Sequence, residues 1–282
     1  MYVFLTSPVR IEYVWQRILS INPTVMQNCI DDVKKWMLTD KLNDDKTEFI
    51  LIETRQQLAK VNLSILCGGD EHITQSSEVK NLVCWFDSQM KFNTRITKSC
   101  NAAFFHIFNI RRIRKFLSED TTRTVNAFVT SRLDYCNCLL YGLPAIYLNK
   151  LRVQNTAARL ICNISRFDHI TPALYKLHWL PIKSRIDFKV LLIAYKAIHG
   201  LAPEYITDIS TIKPKTRYSL RSDSDLLLQK PRVKSLTTLV DRSFAFAAPT
   251  LWNRLPAEIR HTKSVSSFKR LLKTYLFKEA FC

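Results

Sequence analysis

Adjacent carboxylates are the residues in this chain best suited to chemistry, because two of them side by side can hold divalent metal ions for phosphoryl transfer. Two Asp-Asp pairs occur, Asp31-Asp32 and Asp44-Asp45. The first follows Cys29-Ile30 inside a helical pattern, and the second follows Leu42-Asn43 in a polar stretch. Neither lies between two strand-like runs, so both are expected on a solvated helix face and loop, and no catalytic residue is assigned. Cys136-x-Cys138 has a spacing that can begin a structural zinc site, which needs four ligands. The nearest further candidates, Cys162, His169 and His178, are irregularly spaced on separate elements. Buried thiols are therefore expected there, and no metal. His178 before Trp179-Leu180-Pro181 reads as a packing corner. Serine, cysteine and histidine form no nucleophile–base pattern, and Gly68-Gly69 fits a hairpin rather than a phosphate-binding loop.

The cations remain. The 282 residues carry 42 Lys and Arg against 24 Asp and Glu, a net charge of +18. The excess is uneven: residues 1–90 hold 9 basic and 12 acidic side chains, and residues 91–282 hold 33 and 12, a net +21. Such a stretch attracts polyanions, since sequence-independent nucleic-acid binding is counterion release by Lys and Arg. Two clusters stand out. Arg111, Arg112, Arg114 and Lys115 end a helical pattern and could form a phosphate-binding ridge, a nuclear address or a solvated helix terminus. Lys213, Lys215, Arg217, Arg221, Lys230, Arg232 and Lys234 lie with Tyr218 in a stretch without periodicity, suited to tracking a nucleic-acid backbone.

The elements that must position these residues follow from periodicity. With 47% hydrophobic residues and only 4 glycines the composition is that of a folded chain with a real core, not of a disordered or fibrous one. Asn22 and Pro23 open an amphipathic helix bearing Val25, Cys29, Ile30, Val33, Trp36 and Met37 on one face. Short strands are expected at 49–52, 62–66 and 79–86, with a turn at Cys67-Gly68-Gly69-Asp70. Beyond Phe92 the pattern is helical. A stripe of Ile96, Cys100, Ala103, Phe104, Ile107 and Phe108 is expected to face inward, followed by helices from Ser118 to about Leu133 and from Leu148 to Ile161. Thr171-Pro172 opens a short helix, and Pro181 opens a longer one closed by Gly200. A final helix after Ser264 should bury Val265, Phe268, Leu271, Leu272, Tyr275 and Leu276. The fold class is α+β. The expected organisation is an unassigned segment 1–23, an α+β unit 24–92, a helical domain 93–209, a basic loop 210–243 and a helical C-terminal segment 244–282. No apolar run approaches the roughly 18 residues of a spanning helix. The opening MYVFLTSPVR lacks basic residues ahead of its short apolar run. A cytoplasmic or nuclear protein with eight reduced, mostly buried cysteines is expected, neither secreted nor membrane-bound.

Nine segments in order carry a family resemblance: CIDDVKKWM with KLNDDKTEFILI, EVKNLVCWFDSQMKF, SRLDYCNCLLYGLP, RVQNTAARLI, HITPALYKLHWLPIKSRIDFK, APEYI, YSLRS, FAFAAPTLWNRLPAEIR and SFKRLLKTYLF. Together they resemble the part of a non-LTR retrotransposon (LINE-type) reverse transcriptase downstream of its catalytic motif. The resemblance spans about Asn28 to Phe281 and implies a small antiparallel remnant of the palm followed by a mostly helical thumb-like and C-terminal domain.

In that family two Mg²⁺ ions are held by carboxylates, two of them adjacent in a Tyr-Ala-Asp-Asp-like hairpin. Both Asp-Asp pairs here match positions beyond that hairpin, and the fingers, most of the palm and the endonuclease domain have no counterpart. Mg²⁺ would serve the intact family enzyme, and this chain is expected to need no cofactor. The resemblance places Lys46 near the phosphates of an incoming nucleotide, a role left vestigial without the catalytic aspartates. It also puts Trp85, Phe86 and Met90 on the primer-grip hairpin. The implied function is a reverse transcriptase fragment without polymerase activity, able to bind RNA or RNA–DNA hybrid nonspecifically. Two alternatives stand beside it: part of a functional RNA-directed DNA polymerase whose catalytic half is elsewhere, and a translated relic without molecular function.

Overall fold

A computed structural model of the chain describes residues 2–6, 32, 35, 48–52, 54–59, 65–68, 71–116, 119–210, 212, 226–232 and 238–282. The fold is α+β, in two compact units, Met1–Lys98 and Ser99–Cys282. The boundary expected at 92/93 falls six residues later, inside a long helix, and the C-terminal segment joins the same unit as residues 99–209.

The first unit is built from antiparallel ladders. Strand β1 (Tyr2–Thr6) pairs with β2 (Glu48–Ile52), β3 (Ile65–Gly68) with β4 (Glu71–Thr74), and β5 (Glu78–Asn81) with β6 (Cys84–Asp87). β2 is central. Phe49, Ile50, Leu51 and Ile52 are all buried, on both faces of the strand, and Phe49 also accepts a hydrogen bond from the amide of Ser76 at 2.9 Å. A strand covered on both faces reads as an unbroken apolar run, which is why 49–52 was legible. β1 falls in the segment left unassigned, because a short edge strand carries no alternation of its own. The run 79–86 breaks into a hairpin at Leu82-Val83, with Leu82 at φ 51°. The expected helix over 23–37 lies outside the described residues, except that Asp32 and Lys35 are helical and exposed.

Asp87 ends β6 and directs the chain into α1 (Asn93–Ile113), its carboxylate accepting from the amides of Gln89 at 3.1 Å and Lys91 at 2.9 Å. The second unit continues through α2 (Glu119–Asp134), α3 (Val153–Cys162), α4 (Thr171–Lys176), α5 (Ile182–Ile198), α6 (Phe244–Trp252) and α7 (Val265–Phe281). The helix expected from Leu148 starts instead as a 3₁₀ turn, Asn149–Arg152, before α3. The ends obey local chemistry. Asn163 at φ 52° stops α3, Gly200 at φ 66° follows α5, and the hydroxyl of Ser264 caps α7 by accepting from the amide of Ser267 at 3.2 Å.

The core of this unit gathers Val190, Leu191, Ala194 and Tyr195 of α5, Ala247, Ala248 and Trp252 of α6, and Phe268, Leu272 and Leu276 of α7. Tyr195 stacks on Phe268 with centroids 4.1 Å apart, and its hydroxyl donates to the carbonyl of Thr262 at 2.7 Å. The indole of Trp252 donates to the carbonyl of Leu226 at 2.7 Å. Asn253 both accepts from the amide and donates to the carbonyl of Leu228, each at 2.9 Å. Leu228 also pairs with Ile212 in an isolated antiparallel bridge, within the stretch expected as a basic loop. Leu271, expected inward, is 37% exposed, because it lies one position off the Phe268–Leu272–Leu276 stripe.

Candidate nucleic-acid interface

Helix α1 carries the first basic cluster, and its inner face explains how it is held. Ile96, Cys100, Ala103 and Ile107 recur at spacings of three and four and are buried. Burial pushes the Cys100 thiol up to about 11 against the lowering pull of Lys150, so the thiol is protonated at neutral pH and donates to the carbonyl of Lys150 at 3.2 Å. Beyond the end of α1, Arg114 donates Nε to the carbonyl of Leu160 at 3.2 Å and Nη2 to that of Ile161 at 3.3 Å. Those are last-turn carbonyls of α3, which a cation suits. Three hydrogen bonds from two side chains thus fasten residues 100–114 along the turn 149–152 and α3.

What α1 turns outward differs from expectation. Phe104 and Phe108, assigned to the inner stripe, are 44% and 62% exposed. Each sits next to a buried position, and a 100° step per residue moves it off the core face. Phe105, Arg111, Arg112, Ile113, Lys115 and Phe116 are exposed with them. Phe128 on α2 closes the group: the His106 ring stacks on it at 5.5 Å, and Phe105 meets His106 edge-on at 5.7 Å. Residues 88–118 contain no Asp or Glu.

The remaining predicted contacts are distributed unevenly. Arg111, Arg112 and Lys115 stand at the surface, whereas Arg114 makes the backbone bonds just described. Phe86 is in the core of the first unit, edge-on to Phe92 at 5.9 Å. Its ring is covered by protein, so in this structure it serves as a packing residue of the hairpin. Trp85 is half-buried and has the Lys98 ammonium 3.2 Å above its ring centre, so one ring face already holds a cation. Lys230 and Arg232 are exposed on the stretch 226–232. Lys46, Lys213, Lys215, Arg217, Arg221 and Lys234 lie outside the described residues, as do Asp31, Asp44 and Asp45.

Several conspicuous motifs form internal ties. Asp134 and Arg185 form a bidentate ion pair, Nε to Oδ1 at 2.8 Å and Nη2 to Oδ2. Gln154 donates to the carbonyl of Leu180 at 2.8 Å, and Trp179 is buried. His178, at φ 54°, stacks on Phe277 of α7 at 5.7 Å, the packing corner its sequence suggested. Of the described cysteines, Cys84 and Cys100 are buried, Cys136, Cys138 and Cys162 half-buried, and Cys282 exposed. Among the described residues no group of three His, Cys, Asp or Glu could hold a metal ion, and no helix is long and apolar enough to cross a membrane.

Phe105, His106 and Phe128 were not singled out from sequence. A signal existed in Phe104-Phe105, because two consecutive helical residues cannot both face a core that already takes Cys100, Ala103 and Ile107. No family model, curated protein or solved structure matches the chain.

Proposed function

We propose that this chain is the portion of a LINE-type reverse transcriptase beyond the catalytic motif, binding RNA or RNA–DNA hybrid without sequence preference and without polymerase activity of its own. On this reading Met1–Lys98 is the end of the palm, and Ser99–Cys282 the thumb and C-terminal segment. The observation that supports it is the ordered series of nine family-like segments, joined to a net +21 on residues 91–282. The ties between segments add to it. Asp134 of SRLDYC pairs with Arg185 of PIKSRIDFK, and Gln154 of RVQN bonds Leu180 of HWLP. The motifs therefore carry residues that hold one another in place, which accounts for their being recognisable without chemistry of their own.

The test is a pair of assays on residues 1–282. Primer extension on an RNA template with Mg²⁺ or Mn²⁺ should give no product. Affinity for an RNA–DNA hybrid should fall by orders of magnitude between about 50 and 200 mM salt, as when several phosphates are neutralised. Extension abolished by Asp31→Asn/Asp32→Asn or by Asp44→Asn/Asp45→Asn would show a polymerase and defeat the reading. So would hybrid binding that is absent or insensitive to salt.

A further inference from the structure

We propose that the outward face of α1 with Phe128 of α2 is a stacking platform for single-stranded nucleic acid, in which unpaired bases lie on phenylalanine rings and phosphates meet Arg111, Arg112 and Lys115. The inference rests on the nucleic-acid reading above and narrows it to unpaired strands at one surface.

Leaving large apolar side chains in water is unfavourable, and a contiguous apolar group rimmed by polar residues marks an interaction site. Here the apolar members are mostly flat rings: Phe104, Phe105, Phe108, Phe116 and Phe128, with Ile113 an aliphatic neighbour. Phe105 and Phe108 fall on one side of α1 by their three-residue spacing, and the next turn brings Arg112 and then Phe116. Two rings, one guanidinium and, in the 3₁₀ turn Arg114–Phe116 just past the helix, a third ring therefore follow one another at roughly 5 Å per turn, within the reach of successive nucleotides. The contacts between Phe105, His106 and Phe128 hold part of the platform in place before any ligand arrives.

Charge selects the occupant. With no acid in residues 88–118, the surface complements a polyanion. Base–aromatic stacking tolerates any sequence but needs an accessible base face, which a duplex hides within its own stack. An anionic membrane would also meet the charge. Against it, Asn101 and Asn109 are exposed on the same side of α1 as the rings, and hydrocarbon would desolvate their amides without offering a partner. The same amides can hydrogen-bond base edges.

The experiment titrates the whole chain against labelled oligo(dT) and oligo(U) of about twenty nucleotides, longer than the footprint of a typical single-strand module. An RNA–DNA hybrid of the same length is titrated in parallel. Phe105→Leu/Phe108→Leu should weaken single-strand binding roughly tenfold or more, as expected for lost stacking, and leave hybrid binding within about twofold, since duplex contacts are to phosphates. Arg111→Gln/Arg112→Gln should weaken both and flatten the salt dependence. Tyr205→Leu, an exposed aromatic on another helix, should change neither. Thermal melting checks that the variants fold. If the double variant melts early, Phe116→Leu, at the most exposed ring of the group, should give a smaller loss in the same direction.

Unchanged single-strand affinity, or equal losses on strand and hybrid, would overturn the platform while leaving the broader reading intact. Phenylalanine-dependent capture by phosphatidylserine vesicles with oligonucleotide binding unaffected would make the face a membrane contact. A dimer in sedimentation that the double substitution dissolves would make it a self-association surface. Absence of all nucleic-acid binding would end both readings. Ring-dependent strand binding without hybrid binding would sustain this one alone.

Discussion

At the scale of single residues, two glycines separate backbone strain from steric conflict. Both have positive φ, 68° at Gly142 and 66° at Gly200. A Cβ on Gly200 meets nothing within 4 Å, whereas one on Gly142 would lie 2.6 Å from Cγ of Arg242. Arg242 has little freedom to withdraw, since its Nε donates to the carbonyl of Tyr141 at 3.2 Å. Gly200→Ala should therefore cost about 1 kcal/mol for the left-handed conformation alone. Gly142→Ala should cost clearly more, read as the difference in denaturation midpoints. Asp187 offers a test in pH. Burial raises its carboxyl to about 6 from an ordinary 3.8, with Glu279 adding to the rise and Lys183 and Arg254 opposing it. Below about pH 4 the group is protonated in the folded and unfolded chains alike. Between about 4 and 6 the unfolded chain releases its proton first, so stability falls as pH rises and then levels off. Asp187→Asn should match the parent near pH 4 and exceed it by about 1–3 kcal/mol at pH 7. Equal gains at both pH values would remove the carboxyl as the cause.

At the scale of elements, the last helix gives the plainest contrast. Leu272 is fully buried against α5 and α6, and Lys273 is exposed on the same helix. Leu272→Ala should cost about 2–5 kcal/mol and lower the melting temperature clearly, while Lys273→Ala should leave it unchanged. Helix starts were legible because they rest on local chemistry, as with Pro172, Pro181 and Ser264. So was β2, an unbroken apolar run. What sequence left hidden depends on distant partners. β1 exists because β2 offers it a ladder, and the hairpin break at Leu82-Val83 falls on two apolar residues with no glycine or proline to mark the turn. The inner stripe of α1 was read too wide, because hydrophobicity alone does not distinguish Ala103 and Ile107, which are covered, from Phe104 and Phe108, which are not. That misassignment and the overlooked aromatic surface are the same fact. Of the contact residues inferred from sequence, Arg111, Arg112, Lys115, Lys230 and Arg232 lie where a ligand could reach them. Phe86 and Arg114 hold structure, a division that burial and hydrogen bonding decide.

At the scale of the whole molecule, the charge works in two directions. A net +18 repels itself across the folded protein and weakens it, and salt screens that repulsion over about 10 Å at 0.1 M. The melting temperature should therefore rise as sodium chloride increases through the range in which hybrid affinity falls, and parallel melts and titrations would show the opposed slopes. A melting temperature that falls with salt would mean that attractive ion pairs, such as Arg185 with Asp134, outweigh the repulsion. Stability can also be followed at one amide. Leu228 lies in a stretch read from sequence as loop, yet it is fully buried, and the Asn253 side chain accepts its N–H and donates to its C=O, standing in for a neighbouring strand. Asn253 directly follows α6, whose Trp252 is locked into the core by the bond to Leu226. Solvent deuterium can reach the Leu228 nitrogen only when that core loosens, so its exchange should be as slow as that of the central helix α5 and should track global opening. A single slow amide amid fast-exchanging loop neighbours would then serve as a built-in gauge of the helical unit's integrity.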